Sequence, residues 1–91
     1  MVDIAPLIEA CQGMLQVTLN YTKKNGEIVE HTGGIYEIRT MEGNLWLWDT
    51  NTNDHIRKFL LNSINSFQVL DLQFIKPQAE YPILVDGITY G

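Results

Sequence analysis

The chain predicts a mainly β fold: a small, strongly bent five-stranded barrel behind a short N-terminal helix, followed by a C-terminal extension. Three observations carry this. Apolar residues alternate with polar ones from Leu15 onward, a Gly33-Gly34 pair interrupts a strand, and Leu45-Trp46-Leu47-Trp48 stands between two turn-rich stretches. Alternation is the mark of a half-buried strand, and a glycine pair inside one marks a bulge or sharp bend.

Residues 3–14 read as an amphipathic helix. Asp3 suits the N-cap, and Pro6 falls in the first turn, where its missing N–H does little harm. Ile4, Leu7, Ile8, Cys11 and either Met14 or Leu15 follow helical spacing, and Gly13 sits where helices commonly stop. Cys11 lies on the apolar stripe and is expected to be a buried packing residue rather than a nucleophile.

Leu15, Val17, Leu19 and Tyr21 then face one way, with Gln16, Thr18 and Asn20 facing the other. Lys23-Lys24-Asn25-Gly26 closes a hairpin, with Asn-Gly expected to supply positive φ angles and the lysines to sit in solvent. The returning strand starts at Glu27, bends at Gly33-Gly34, and resumes through Ile35, Tyr36 and Ile38 before Glu42-Gly43-Asn44 turns into the tryptophan strand. Trp46 or Trp48 is expected to be the largest contributor to the interior. After a polar turn at Asn51-Thr52-Asn53-Asp54, His55, Arg57 and Phe59 take one face of the next strand, with Ile56 and Lys58 on the other. Asn62-Ser63-Ile64-Asn65 reads as a tight turn, or one turn of 3₁₀ helix. Ser66 to Phe74 gives a last strand, with Phe67, Val69 and either Asp71 or a bulge toward Leu72 and Phe74. A helix and five strands joined largely by tight turns fit a barrel of the Sm-like or Src-homology-3-like kind.

Residues 1–75 are thus expected to form the barrel domain. Residues 76–91 form a linker, Lys76-Pro77-Gln78-Ala79-Glu80, and a short hairpin over Ile83 to Tyr90. That hairpin either adds to an edge of the barrel or docks on another chain; the first is preferred because an open edge invites aggregation.

Composition narrows the function. The chain has 91 residues and a net charge of −5, which argues against a broad phosphate-binding surface but leaves room for a local cationic pocket. One cysteine makes no internal disulfide and no zinc spacing exists. No signal peptide or membrane span is apparent, so a reduced, cytoplasmic protein is expected. No serine-containing elbow, phosphate loop or paired-histidine motif is present, so neither an enzyme nor a cofactor is expected. His31 and His55, beside Glu30 and Asp54, are too weak a set for a metal.

Candidate anion-recognising residues are His55, Arg57 and Arg39. On one strand face His55 and Arg57 lie roughly 7 Å apart, which suits a phosphate or carboxylate. The competing reading pairs Arg57 with Asp49, Asp54 or Glu37 on the surface. Trp46 and Trp48 share a side and could stack bases if exposed.

Leu15-Gln16-Val17-Thr18-Leu19-Asn20-Tyr21, Asn25-Gly26, Gly43 through Asp49, and Arg57-Lys58-Phe59-Leu60-Leu61-Asn62-Ser63-Ile64 together resemble the WYL domain of bacterial transcription regulators. Leu45-Trp46-Leu47 stands at the naming triad, and Arg57, Phe59, Leu61 and Ile64 match the family's later pattern R-x-F-R-L-D-R-I. The resemblance spans roughly residues 5–74. It implies an Sm-like barrel that senses a ligand, often nucleic acid or nucleotide, through a basic groove. Leu60 and Ser63 replace two of the family's arginines, Asn62 replaces its acid, and the proline near Gly33 or Gly34 is missing. The family's DNA-binding helix-turn-helix has no counterpart here, so a stand-alone domain is expected.

The leading expectation is a non-enzymatic regulatory module that binds a small anion, a nucleotide or short single-stranded nucleic acid. Its site would comprise His55, Arg57, Arg39, Tyr21 and Trp48. The alternative is an acidic adaptor or inhibitor, of phage or mobile-element type, whose partner is another protein. A homodimer through an open strand edge is expected in either case.

Overall fold

The computed structural model describes residues 2–50 and 56–91. One helix, α1 (Ala5–Gln12), precedes β1 (Leu15–Thr22), β2 (Ile28–Arg39), β3 (Asn44–Asp49), β4 (Ile56–Leu60), a 3₁₀ turn (Leu61–Ser63) and β5 (Ile64–Gln73). The tail adds β6 (Leu84–Val85) and β7 (Ile88–Thr89). The main path runs β4-β3-β2-β1-β5, every neighbouring pair antiparallel. Its two ends are not paired to each other among the described residues, so the sheet is not closed.

The expected helix is trimmed by two residues at each end. Ile4 occupies the N-cap, and Asp3 instead accepts a hydrogen bond from the Ala5 N–H at 3.1 Å. Gly13 ends the helix with helical angles, and Met14 rather than the glycine takes the positive φ that turns the chain into β1. Leu7, Ala10 and Cys11 form the buried stripe.

In the first hairpin only Gly26 has positive φ, so Lys24-Asn25-Gly26 makes a three-residue turn and not an Asn-Gly turn with both residues left-handed. Lys23 and Glu27 close it through a 2.8 Å backbone bond, and the Asn25 side chain accepts from the Glu27 N–H.

The glycine pair explains how β2 serves both sides of the sheet. Gly33 and Gly34 face Val17 and Gln16 across β1, and Asp49 and Trp48 across β3. A Cβ at Gly33 would lie 1.7 Å from the Trp48 carbonyl oxygen, and one at Gly34 would lie 1.9 Å from the Phe74 ring. Only glycine permits this approach of backbone to backbone and ring to backbone. The register slips between Ile35 and Glu37, one step further on.

Beyond Gly34, β1 no longer covers β2, and β6 takes the vacated edge in parallel, pairing Leu84 with Glu37 and Val85 with Ile38. Asp86 and Gly87, both at positive φ, make the two-residue turn into β7. The Asp86 carboxylate accepts from the Thr40 N–H and hydroxyl at 2.7 and 2.8 Å. Ile83 and Val85 are buried in the same core as α1 and the main strands.

That core is largely aliphatic, which overturns the expected role of the tryptophans. Leu45, Leu47 and Asp49 point inward with no exposure, while Trp46 and Trp48 are half-buried on the opposite face of β3. The pairing of Asp49 with Gly33 and Trp48 with Gly34 fixes this parity. β5 buries less than its sequence suggests: Val69 and Leu72 are exposed and Phe67 is only half-buried. No helix among the described residues is long and apolar enough to cross a membrane.

Candidate functional site

Asp49 is the residue from which the site is built. It is the one charged side chain among the described residues with no exposure, held inward by the alternation that buries Leu45 and Leu47. A buried carboxylate must be paired or hydrogen-bonded. His31, on the neighbouring strand, places Nδ1 2.6 Å from Asp49 Oδ2. This contact holds the imidazole ring in one orientation against the carboxylate. Arg57 brings Nη1 to 4.0 Å of the same oxygen, at the outer limit of an ion pair, and its side chain is 43% exposed.

Aromatic rings hold this group in place. The His31 ring lies 4.8 Å from that of Phe59, and Tyr21 meets Phe59 edge-on at 4.9 Å. The Tyr21 hydroxyl accepts a 2.9 Å hydrogen bond from the Leu60 N–H, tying β1 to the end of β4. Above these residues is a pocket of about 130 Å³ whose lining includes Lys23, His31, Arg57 and Lys58 beside Tyr21 and Phe59. Three of the six lysines and arginines of an acidic chain therefore converge on one small hollow. The volume suits one phosphate or carboxylate group rather than a whole nucleoside.

Of the residues expected from sequence, Arg57 and Tyr21 come together here. Arg39 does not join them. Its Nε bonds Glu37 at 2.7 Å, its Nη1 reaches Glu42 at 3.3 Å, and its guanidinium lies 5.0 Å over the Trp46 ring. Those carboxylates, Glu37 first, raise its pKa further. Trp48 sits across β3 from the pocket, with its ring 6.3 Å from that of Tyr36. His55 lies outside the described residues.

Sequence reading missed Asp49 and His31 as parts of this site. The sequence offers Asp49 only as a surface partner for Arg57, and His31 only as part of a weak metal set. The signal was present: an acid at the inward parity of β3, in step with Leu45 and Leu47. Its partner could be identified only once the β2–β3 register was known.

The thiol of Cys11 is not part of any such site. Burial, helped by the charge of Glu37, pushes its pKa up to about 12, and Sγ donates to the Ile35 carbonyl at 3.8 Å. Among the described residues no three His, Cys, Asp or Glu side chains gather as a metal site would require. Comparison of the chain with protein-family models, curated proteins and solved structures gives no match, so its reading rests on its own geometry.

Proposed function

We propose that the protein is a non-enzymatic, cytoplasmic regulatory module of WYL-like type that binds a small anion or the phosphate of a short single-stranded nucleic acid. The observation that carries this is the convergence of Lys23, Arg57 and Lys58 with His31 over the buried Asp49. Asp49 fixes the imidazole, and the partly exposed guanidinium of Arg57 keeps donors available to a ligand. Tyr21 and Phe59 supply an aromatic wall for the group attached to the anion. The strand order and the β2 bend at Gly33-Gly34 support the finer architecture, a barrel of Sm-like or Src-homology-3-like type.

The test is fluorescence anisotropy of an end-labelled short oligonucleotide, with inorganic phosphate as competitor, across about 50 to 200 mM salt. Intrinsic tryptophan emission is a poor reporter, because both indoles lie across β3 from Arg57. Arg57→Ala is expected to weaken binding about tenfold, as loss of a charge-assisted hydrogen bond would. It should also reduce the salt slope by about 0.7. Unchanged affinity in a folded Arg57→Ala protein would remove this pocket from consideration.

A further inference from the structure

A second hollow lies on the opposite side of β3, independent of the anion pocket. It is a cleft of about 230 Å³ between β3 and the tail, whose lining includes Tyr36, Trp46 and Tyr81 with Pro82, Leu84 and Glu37. The Tyr36 ring organises it. It meets Tyr81 at 6.2 Å and Phe74 at 5.2 Å, each nearly perpendicular, and its hydroxyl is fixed by the Gln78 N–H at 3.0 Å. The cleft is below the range of roughly 300–1,000 Å³ usual for small-molecule sites, so it suits one inserted side chain.

The surroundings select the charge of that side chain. A neighbouring hollow shares Glu37 and Leu84 and adds Glu42 and Asp86, with Arg39 as its one cation. Glu80 reaches the same region: burial raises the Tyr36 hydroxyl pKa, and the charge of Glu80 raises it further. Lys76, which donates to the Tyr81 and Ala79 carbonyls, and Lys58, opposite Trp46 on β4, are the other nearby cations. Four carboxylates thus stand against three cations beside an aromatic slot, two of the carboxylates being shared with Arg39. The molecule already shows which group this surface accepts, because Arg39 uses the Trp46 ring and Glu37 together for its own guanidinium.

We propose that this cleft is a docking site for a lysine or arginine side chain from a basic segment of a partner protein. The aromatic rings take the cationic head and its apolar stem, and the acidic rim steers the flanking residues. Arg39 competes for part of the same surface, so its removal strengthens docking.

The test uses a capped peptide of alternating glycine and basic residues, with a neutral counterpart carrying citrulline and acetyl-lysine. The readout is the Trp46 indole N–H in ¹H–¹⁵N spectra of the full chain. A saturable shift with the basic peptide, and binding at least about tenfold weaker with the neutral one, is expected. Tyr81→Ala should weaken binding about fivefold with the remaining spectrum intact, and Arg39→Ala should tighten it about threefold. Glu37→Gln serves as a second weakening variant if Tyr81→Ala fails to fold. Equal binding of the neutral peptide would overturn the proposal. So would shifts confined to His31, Tyr21 and Phe59, or a Trp46 resonance that moves with protein concentration alone because a second copy covers the cleft.

Discussion

At the scale of single residues, burial decides chemistry. Cys11 and Asp49 are both polar groups inside an aliphatic core, yet their partners differ. Asp49 has the imidazole of His31 at 2.6 Å and Arg57 beyond it, so its side chain orients a site. Cys11 has only a carbonyl oxygen at 3.8 Å, so its neutral form is favoured and its pKa rises from 9.0 to about 12. The sign of the resulting pH dependence is fixed. Below the unfolded pKa the thiol is protonated in both states and contributes no slope. Between about 9 and about 12 the unfolded chain ionises while the folded one does not, so stability falls with rising pH by up to about 1.4 kcal/mol per unit. Urea midpoints measured from pH 8 to pH 11 should decline in the native chain, and Cys11→Ala should flatten part of that decline. An identical slope in the variant would show that Cys11 is not the group responsible.

At the scale of elements, the strands were legible because their period is local, whereas their partners were not. In β1 an apolar set alternating with a polar one marks Val17 and Leu19 as the inner face, and the glycine pair marks the bend at Gly33-Gly34. The tryptophan strand gives no such cue, because Leu45 to Trp48 are apolar on both faces and hydrophobicity does not say which is inner. Here Gly33 opposite Asp49 and Phe74 over Gly34 decided it, both contacts remote in sequence. The same remoteness hid His31 from Asp49, leaving Arg57 and Tyr21 as the part of the pocket that residue type alone could suggest. The tail is the clearest case. Its short arms leave two readings open, an added edge strand or a dock for another chain, and the edge strand, preferred because an open edge invites aggregation, is what β6 forms against β2. Ile83 has no exposure, Val85 pairs with Ile38, and Asp86 clamps Thr40. Removing residues 82–91 should therefore cost several kcal/mol, since losing one buried aliphatic side chain alone costs about 2–5. Such a loss is a large part of the roughly 5–15 kcal/mol that stabilises a domain of this size. The truncated chain should show a markedly lower denaturation midpoint by circular dichroism. A midpoint equal to that of the full chain would mean that the tail only rests on a sheet stable without it.

At the scale of the whole molecule, charge is segregated. Lys23, Arg57 and Lys58 meet at one pocket, and because the chain as a whole carries −5, everything outside those three side chains carries −8. A nucleic-acid strand that enters the pocket therefore meets attraction over one or two phosphates and repulsion beyond them. This separates a pocket reader from a groove binder. Proteins that track a backbone along a basic groove gain affinity with each added nucleotide that finds a cation, whereas here each added nucleotide lies over an acidic body. Competition by thymidine oligomers of about two to about sixteen nucleotides should show affinity that is highest for the shortest phosphate-bearing ligands and level or falling with length. The penalty on length should be larger at low salt, where repulsion reaches beyond the roughly 8 Å of physiological ionic strength. Affinity that instead rises steadily with length would show a continuous binding track. The site would then have to be sought along the sheet, away from the pocket at Arg57.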